Sequence, residues 1–184
     1  AVVIGPGLGQ EAGAERLLDL VLQEAEKLPE LPVVIDADGL NLLAKKRLYS
    51  TLGRQYVLTP HLREMSRLSG KSVQEIADDM TSAVMGQQAG ATIVLKDART
   101  LVSDGDWLYI NLSGNSALST GGSGDVLSGM IGGLLAQGCT QRTAATLAVY
   151  MHGLTAEQYC ESAPPHCMLA RDILEMIPKI GGNS

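Results

Sequence analysis

The chain has 184 residues, a net charge of −6 and a hydrophobic fraction of 45%, with no Phe and one Trp. This length predicts one domain, residues 1–184, with a core built from Leu, Val, Ile, Ala and Met. The acidic balance and the lack of a basic run argue against nucleic acid or a membrane surface as a partner, and no apolar run is long enough to span a bilayer.

The cysteines and the start of the chain bear on where the protein works. Cys139, Cys160 and Cys167 show neither CxxC nor Cys/His spacing, so we expect reduced thiols rather than zinc ligands. This usage predicts a cytoplasmic protein. The chain opens at Ala1 on a predicted strand without an initiator Met, and we expect that an upstream part precedes it.

Apolar runs and helical periodicities alternate along the chain. Four short buried strands are predicted, and the last is followed by a β-hairpin that turns at residues 104–106. The strands are predicted at 1–4, 33–36, 56–60 and 92–96, and the helices at 11–27, 39–46, 61–68, 72–88, after 125, 140–161 and 169–177. This alternation predicts an α/β fold class with a largely parallel central sheet flanked by helices.

Glycines and polar side chains collect just after the predicted strand ends, in residues 5–9, 36–41, 59–64 and 96–100. Ligands bind at this edge in open parallel sheets. The first of these stretches, GPGLG, misses the dinucleotide-binding pattern G-x-G-x-x-G, because Gly9 comes one residue early and Gln10 holds the required place. No P-loop pattern is present either, so GPGLG is a structural turn or a ligand loop of another kind.

The next stretches carry titratable side chains. Asp38 is predicted to cap the short helix that follows, whereas Asp36, which ends a buried strand, is the better candidate to orient water or Mg²⁺. His61 and Glu64 share one face if a helix starts there, and Glu64 is a candidate to hold Mg²⁺ through water. Lys96 is either an ordinary lysine at a strand end or a partner of nucleotide phosphates.

A glycine cluster, Gly121, Gly122 and Gly124, precedes Asp125 and a predicted buried helix. Glycine permits positive φ and has no Cβ, so such a loop can turn its N–H groups toward one anion at a helix N-terminus. Asp125 is then either the N-cap of the helix or a base aimed at a hydroxyl that attacks a phosphoryl group. The three glycines favour the base, because an N-cap does not need them.

The chain resembles the ADP/ATP-dependent NAD(P)H-hydrate dehydratase family in motifs that occur in the expected order: GPGLG, DADGLNLL, LTPHLREMSRL, VLKDART and GNSALSTGGSGDVLSGMIGGLLA. The resemblance covers essentially all of the chain, which lacks the family's N-terminal segment. It implies a three-layer ribokinase-like fold. It also implies dehydration of the S form of hydrated NADH or NADPH, NAD(P)HX, to the intact cofactor, coupled to hydrolysis of ADP or ATP with Mg²⁺.

The resemblance assigns site residues as well. It puts the hydrated dinucleotide at Gly5, Gly7, His61 and Asp125, and the adenine nucleotide at Lys96, Asp97, Ala98, Arg99, Thr100 and Gly124. Joined to the physics of the loop, it makes Asp125 the catalytic base, with the amides of Gly122, Ser123 and Gly124 stabilising the transferring group. It further implies a homo-oligomer and a fused or separate epimerase that acts on the same substrate.

The chain departs from the family pattern at two places, because Leu62-Arg63 replaces Pro-Gly and Asp97 replaces Gly. Two other functions stay open: a ribokinase-like small-molecule hydroxyl kinase for a thiazole- or pyridoxine-like alcohol, and a non-catalytic nucleotide-binding or oligomer-building fragment. We also expect the chain alone to aggregate or turn over poorly, since a sheet edge would be uncovered.

Overall fold

The computed structural model describes residues 1–85 and 90–180. Six strands form one sheet in the order of their sequence. The strands are β1 Val2–Ile4, β2 Val33–Ile35, β3 Tyr56–Leu58, β4 Thr92–Leu95, β5 Leu101–Ser103 and β6 Leu108–Ile110. The first four run parallel and the last two are antiparallel, which confirms the largely parallel sheet and the hairpin.

Eight α-helices are described: α1 Ala12–Lys27, α2 Ala37–Lys46, α3 Leu62–Ser69, α4 Val73–Asp78, α5 Met80–Met85, α6 Ser123–Ala136, α7 Gln141–Cys160 and α8 Ala170–Met176. Most begin and end within a residue or two of the predicted bounds. No helix in the described ranges is long and apolar enough to cross a membrane.

The predicted single helix over residues 72–88 is wrong. Ser72 caps α4 as expected, with its hydroxyl accepting from the Glu75 N–H at 3.2 Å. The helix ends at Asp78, because Asp79 leaves helical geometry at φ −144° and accepts hydrogen bonds from the Ser82 N–H and hydroxyl. Asp79 therefore starts α5 by competing for the backbone donors. The predicted end of the helix, Gln88, lies outside the described residues.

Alternating strand residues build two cores, one on each face of the sheet. In β2, Val33 and Ile35 pack with α1 to α5, whereas Val34 faces α6 and α7. Both faces are buried, which explains why these strands read as continuous apolar runs. The result is the predicted three-layer arrangement. At one edge lies β1, whose Val3 is 40% exposed.

Parallel pairing brings the carboxyl ends of β1 to β4 to one edge. The ladder continues past the strands, since Asp36 N–H donates to Ile4 O at 3.1 Å and Lys96 N–H donates to Pro60 O at 2.8 Å. The polar stretches that follow the strands therefore meet beside the N-terminus of α6.

Candidate active site

A cavity of about 710 Å³ opens at this edge. One wall is formed by His61 and by the stretch after β4, of which Lys96, Asp97, Ala98 and Thr100 line the cavity. The facing wall is formed by residues 111–119, after β6. The N-terminus of α6 and the middle of α7 close it, through Ser123, Gly124 and His152. Arg99 is exposed and does not line this space.

The first turn of α6 leaves backbone donors unpaired. Gly122 is its N-cap in left-handed geometry, at φ 85°, a conformation that favours glycine. No residue in the described ranges accepts from the N–H of Gly124 or Asp125, whereas the Ser123 N–H donates to Thr120 O at 3.3 Å. Free amides at a helix N-terminus, with the positive end of the helix dipole, form an anion site.

Asp125 is the third residue of α6, so its interpretation as an N-cap is wrong; Gly122 holds that place. Glycine occupies the N-cap position because it alone adopts the required positive φ without strain. The Asp125 side chain is exposed, and within residues 1–85 and 90–180 it has no hydrogen bond or ion pair. It stands on the same turn as the free amides but does not line the cavity.

Asp36 and Lys96 are joined across the sheet edge. Asp36 Oδ1 accepts from Lys96 Nζ at 2.9 Å and from the Ala37 N–H at 2.8 Å, and its Oδ2 lies 2.5 Å from Ser128 Oγ on α6. The Asp36 side chain is 2% exposed and that of Lys96 21%. A Cβ built on Gly124 would lie 3.3 Å from Lys96 Nζ. The lysine charge therefore sits against the α6 anion site.

These contacts correct the capping prediction for Asp38. The N-cap of α2 is Asp36, and the helix begins at Ala37, two residues before the predicted Gly39. Asp38 instead accepts from the Gly9 N–H at 3.0 Å and from the Gln10 side chain at 2.8 Å. The helix starts early because the aspartate at the end of β2 already satisfies its first N–H.

His61 is the N-cap of α3. Its Nδ1 accepts from the N–H groups of Arg63 and Glu64 at 3.1 and 3.2 Å, so the ring proton of the neutral imidazole is on Nε2. Glu64 completes a capping box by accepting from the His61 N–H at 2.9 Å. Leu62 packs against the core, and Arg63 is exposed. The Leu-Arg pair is therefore compatible with this helix start.

Gly5 and Gly7 follow β1 but do not line the cavity. Gly5 adopts φ 126°, and a Cβ there would lie 1.8 Å from Asp36 O. Gly7 adopts φ 64° and has open space around it. Gly5 thus lets the β1 loop approach the backbone at the end of β2, while Gly7 leaves its surface free.

The two carboxylates predicted to hold Mg²⁺ are both engaged with protein groups. Asp36 is paired with Lys96, Ser128 and Ala37, and Glu64 lies against His61. No group of three or more His, Cys, Asp or Glu side chains able to hold a metal occurs in residues 1–85 and 90–180. Their role toward Mg²⁺ stays a prediction.

The sequence reasoning missed several residues of the cavity. The cavity is lined by Asn111, Ser113 and Asn115. They lie just before the glycine cluster of α6, to which the site was assigned from the sequence. His152 was missed altogether. It is 7% exposed, its Nε2 lies 3.0 Å from Ser123 O, and burial lowers its pKa to about 4. The signal was present, because a histidine stands on an otherwise Ala- and Val-rich face of α7.

Comparison with known proteins adds a family to this geometry. The NAD(P)H-hydrate dehydratase family model matches residues 1–179. The ADP-dependent (S)-NAD(P)H-hydrate dehydratase of Neisseria meningitidis is 44% identical over 169 residues, which cover 89% of this chain and 56% of that protein. The bifunctional NAD(P)H-hydrate repair enzyme Nnr of Coxiella burnetii is 39% identical over 175 residues, 94% of this chain and 34% of that protein. The chain spans about a third to just over half of these relatives.

Solved structures agree with the fold. The ADP/ATP-dependent NAD(P)H-hydrate dehydratase from Bacillus subtilis, co-crystallised with ATP/Mg²⁺, superposes with a TM-score of 0.80 at 30% identity over 97% of this chain and 62% of that one. A ribokinase-like superfamily protein from Enterococcus faecalis gives 0.85 at 32% identity, with coverage of 97% and 62%. The predicted ribokinase-like fold is confirmed.

Proposed function

This chain belongs to the NAD(P)H-hydrate dehydratase family, and we propose that it dehydrates the S form of NAD(P)HX to NAD(P)H at the expense of ADP or ATP. The observation that carries the proposal is the cavity that joins the stretch after β4 to the free N–H groups at the start of α6. This arrangement supports a nucleotide held with its phosphates at α6, beside a base on the same turn.

The nucleotide half of the proposal rests on charge and shape. The Gly124 N–H, the α6 dipole and the Lys96 ammonium converge where the terminal phosphates would lie. In residues 111–119, Ser116 and Ser119 line the cavity with hydroxyls that have no partner among the described residues and can bond the remainder of the nucleotide. The side chains of Asn111, Ser113 and Asn115 are held by protein groups. A volume of about 710 Å³ is in the range of cofactor pockets. The exposed Asp97 carboxylate lies at the rim, where the family has glycine.

The substrate half rests on Asp125, His61, Gly5 and Gly7. Asp125 is exposed and has no partner within the described ranges, so its carboxylate is free to accept a proton. In the proposed step the hydroxyl oxygen of the hydrate attacks the terminal phosphorus, the bond to the leaving nucleotide breaks, and the hydroxyl proton passes to Asp125. The carbon–oxygen bond then breaks, phosphate leaves with the electron pair, and the adjacent ring carbon loses a proton to water, so that the new double bond restores the dihydronicotinamide.

Mg²⁺ enters this proposal with the nucleotide, as the ATP/Mg²⁺ complex of the relative from B. subtilis supports. Mg²⁺ keeps much of its water shell and is commonly held by phosphates plus one or two carboxylates. The described residues fit that mode: Asp97 lines the cavity, and Asp36 and Glu64, which accept hydrogen bonds from protein groups, would contact the ion through water. When bound, the ion would neutralise phosphate charge.

The partners follow from the relatives. Several are named bifunctional NAD(P)H-hydrate repair enzymes, which supports a fused or separate epimerase as the companion activity. A homo-oligomer and a cytoplasmic location complete the proposal. A small-molecule hydroxyl kinase is an alternative that only the fold supports, since a hydroxyethylthiazole kinase has the same fold at 22% sequence identity.

The test mixes the chain with Mg²⁺, S-form hydrated NADH, and ADP or ATP, and follows the dihydronicotinamide absorbance. Nucleotide-dependent recovery of the absorbance that is lost in Asp125→Asn supports the proposal. Asp106→Asn, which changes an exposed carboxylate in the β5–β6 turn, is the matched control. Phosphorylation of an added alcohol without any recovery of NADH would favour the kinase instead, and nucleotide binding without turnover would favour a non-catalytic role.

A further inference from the structure

A buried histidine of α7, His152, lines the cavity beside the start of α6. His152 is 7% exposed, and its Nε2 lies 3.0 Å from Ser123 O. A carbonyl oxygen can only accept, so Nε2 carries the proton and donates. Its helix neighbours on the buried face are Ala148, Val149 and Ala156. An apolar side chain would fill that place without the cost of burying an imidazole.

The partner of His152 is the residue that begins α6. All three polar groups of Ser123 are held: its N–H donates to Thr120 O at 3.3 Å, its hydroxyl to Leu118 O at 2.7 Å, and its carbonyl accepts from His152. The Ser123 carbonyl and the Gly124 N–H belong to one planar peptide unit. A hydrogen bond that fixes the carbonyl therefore also fixes the direction of the Gly124 N–H, which no described residue accepts.

The hydrogen bond has an electronic consequence too. Donation to a carbonyl oxygen polarises the peptide unit and strengthens its N–H as a donor. The Gly124 N–H is thus both aimed and strengthened by a side chain that stands behind it. The helix hydrogen bond from the Leu127 N–H already orients the Ser123 carbonyl within α6, and the His152 hydrogen bond adds a second restraint from outside the helix.

The same helix holds the opposite wall of the cavity. A Cβ built on Gly153 would lie 2.1 Å from Ser113 Oγ, and Glu157 Oε1 accepts from the Gly114 N–H at 2.7 Å. Consecutive residues of α7 therefore contact the two sides, His152 the start of α6 and Gly153 the loop after β6. Through these contacts, α7 sets the position of the first turn of α6, with its free N–H groups, relative to the loop after β6.

We propose that His152 is a positioning residue of the nucleotide site, whose Nε2–H holds the Ser123–Gly124 peptide so that the Gly124 N–H points at a nucleotide phosphate. This inference rests on the proposed nucleotide-dependent function. It assigns His152 no contact with the reacting atoms. Its effect is confined to ligands that carry phosphate.

The test compares binding of ADP and of adenosine by calorimetry in the unaltered chain and in three variants. His152→Leu removes the donor. His152→Gln places an amide nitrogen near the position of Nε2, and His152→Asn places one nearer Nδ1. We expect His152→Leu and His152→Asn to weaken ADP binding by about tenfold, the worth of one aligned hydrogen bond to an anion. His152→Gln restores most of the affinity, and adenosine binding stays unchanged throughout.

A matched control separates positioning from general loss of stability. Thr155 is fully buried on the same helix and donates to His152 O, away from the cavity. Thr155→Val should lower the melting temperature and leave the ratio of ADP to adenosine affinity as it was. Should His152→Leu fail to fold, the Gln–Asn comparison carries the test.

Two results would overturn the inference. One is equal ADP affinity in the Gln and Asn variants, and the other is a parallel loss of ADP and adenosine binding. Either would show that His152 Nε2 does not orient the Gly124 N–H, while the proposed function would stand. Failure of the unaltered chain to bind ADP would overturn both, and the proposed function first.

Discussion

Asp36 Oδ1 lies 2.9 Å from Lys96 Nζ, which links the residues that follow β2 and β4 directly beneath the start of α6. The carboxylate is almost wholly buried, and Ser128 from α6 approaches its other oxygen at 2.5 Å. The pair therefore couples the sheet edge to α6, whose first turn carries the N–H groups left unpaired by the described residues. It also holds the lysine ammonium next to Gly124.

Breaking this pair should cost stability. In Lys96→Met the buried Asp36 carboxylate loses its counter-charge, and we expect the free energy of unfolding to fall by about 3 kcal/mol. The measurement is urea unfolding followed by circular dichroism. Lys46→Met, which breaks the more exposed Lys46–Asp19 pair, should cost less than about 1 kcal/mol. Equal losses in the two variants would contradict the coupling described here.

Filling the anion site should weaken nucleotide binding without unfolding the protein. In Gly124→Ala the new methyl lies 3.3 Å from Lys96 Nζ, where phosphate is expected, and we predict about tenfold weaker ADP binding, or about 1.4 kcal/mol. Gly129→Ala is the control on the same helix, since a Cβ there meets nothing within 4 Å. It should stabilise α6 by up to about 1 kcal/mol and bind ADP normally.

The loop after β1 should tolerate no side chain at Gly5. Gly5→Ala would place Cβ 1.8 Å from Asp36 O at φ 126°, so the loop must shift, at a cost of about 3 kcal/mol. Gly13→Ala on α1, where the added Cβ meets nothing within 4 Å, should be neutral or stabilising. Thermal melts of the two variants decide the matter: a Gly5→Ala protein as stable as Gly13→Ala would refute the close approach.

His152 should make stability depend on pH in a defined window. Burial lowers its pKa from 6.5 to about 4, so above pH 6.5 the imidazole is neutral in both states and stability is complete. As pH falls toward 4, His152 is protonated in the unfolded chain but stays neutral in the native one, so the free energy of unfolding falls by about 3 kcal/mol. In His152→Gln the free energy of unfolding should depend much less on pH between 6.5 and 4. Unchanged slopes between pH 6.5 and 4 would contradict it.

Carboxylates act in a lower window. Hydrogen bonds from Ser72 and Ser82 lower the pKa values of Glu75 and Asp79 below 4.5 and 3.8. Their native contacts are therefore present above those ordinary values and lost as pH falls through the lowered ones. This contribution lies mostly below the histidine window, so the two can be separated in one titration of stability.

Local sequence signals predicted most of the helices and strands, because the residues that favour each one lie within it or next to it in the sequence. Apolar runs fixed the strands, and the Ser72 capping box marked the start of α4. Capping competition was harder to foresee. Asp36 and Asp38 are both good caps, and Asp125 and Gly122 both suit a helix start; the choice within each pair depended on backbone geometry that composition does not reveal. The break at Asp79 had the same origin.

The sequence by itself determined the alternating α/β layout and the glycine–aspartate turn, and it predicted which edge of the sheet carries the site, since periodicity and motif spacing are properties of the chain read locally. Only the tertiary structure decided that Asp36 pairs with Lys96 across 60 positions and that His152 on α7 stands behind Ser123. Such contacts depend on where distant elements pack, and a buried polar group shows its partner only when the packing that removes water is known.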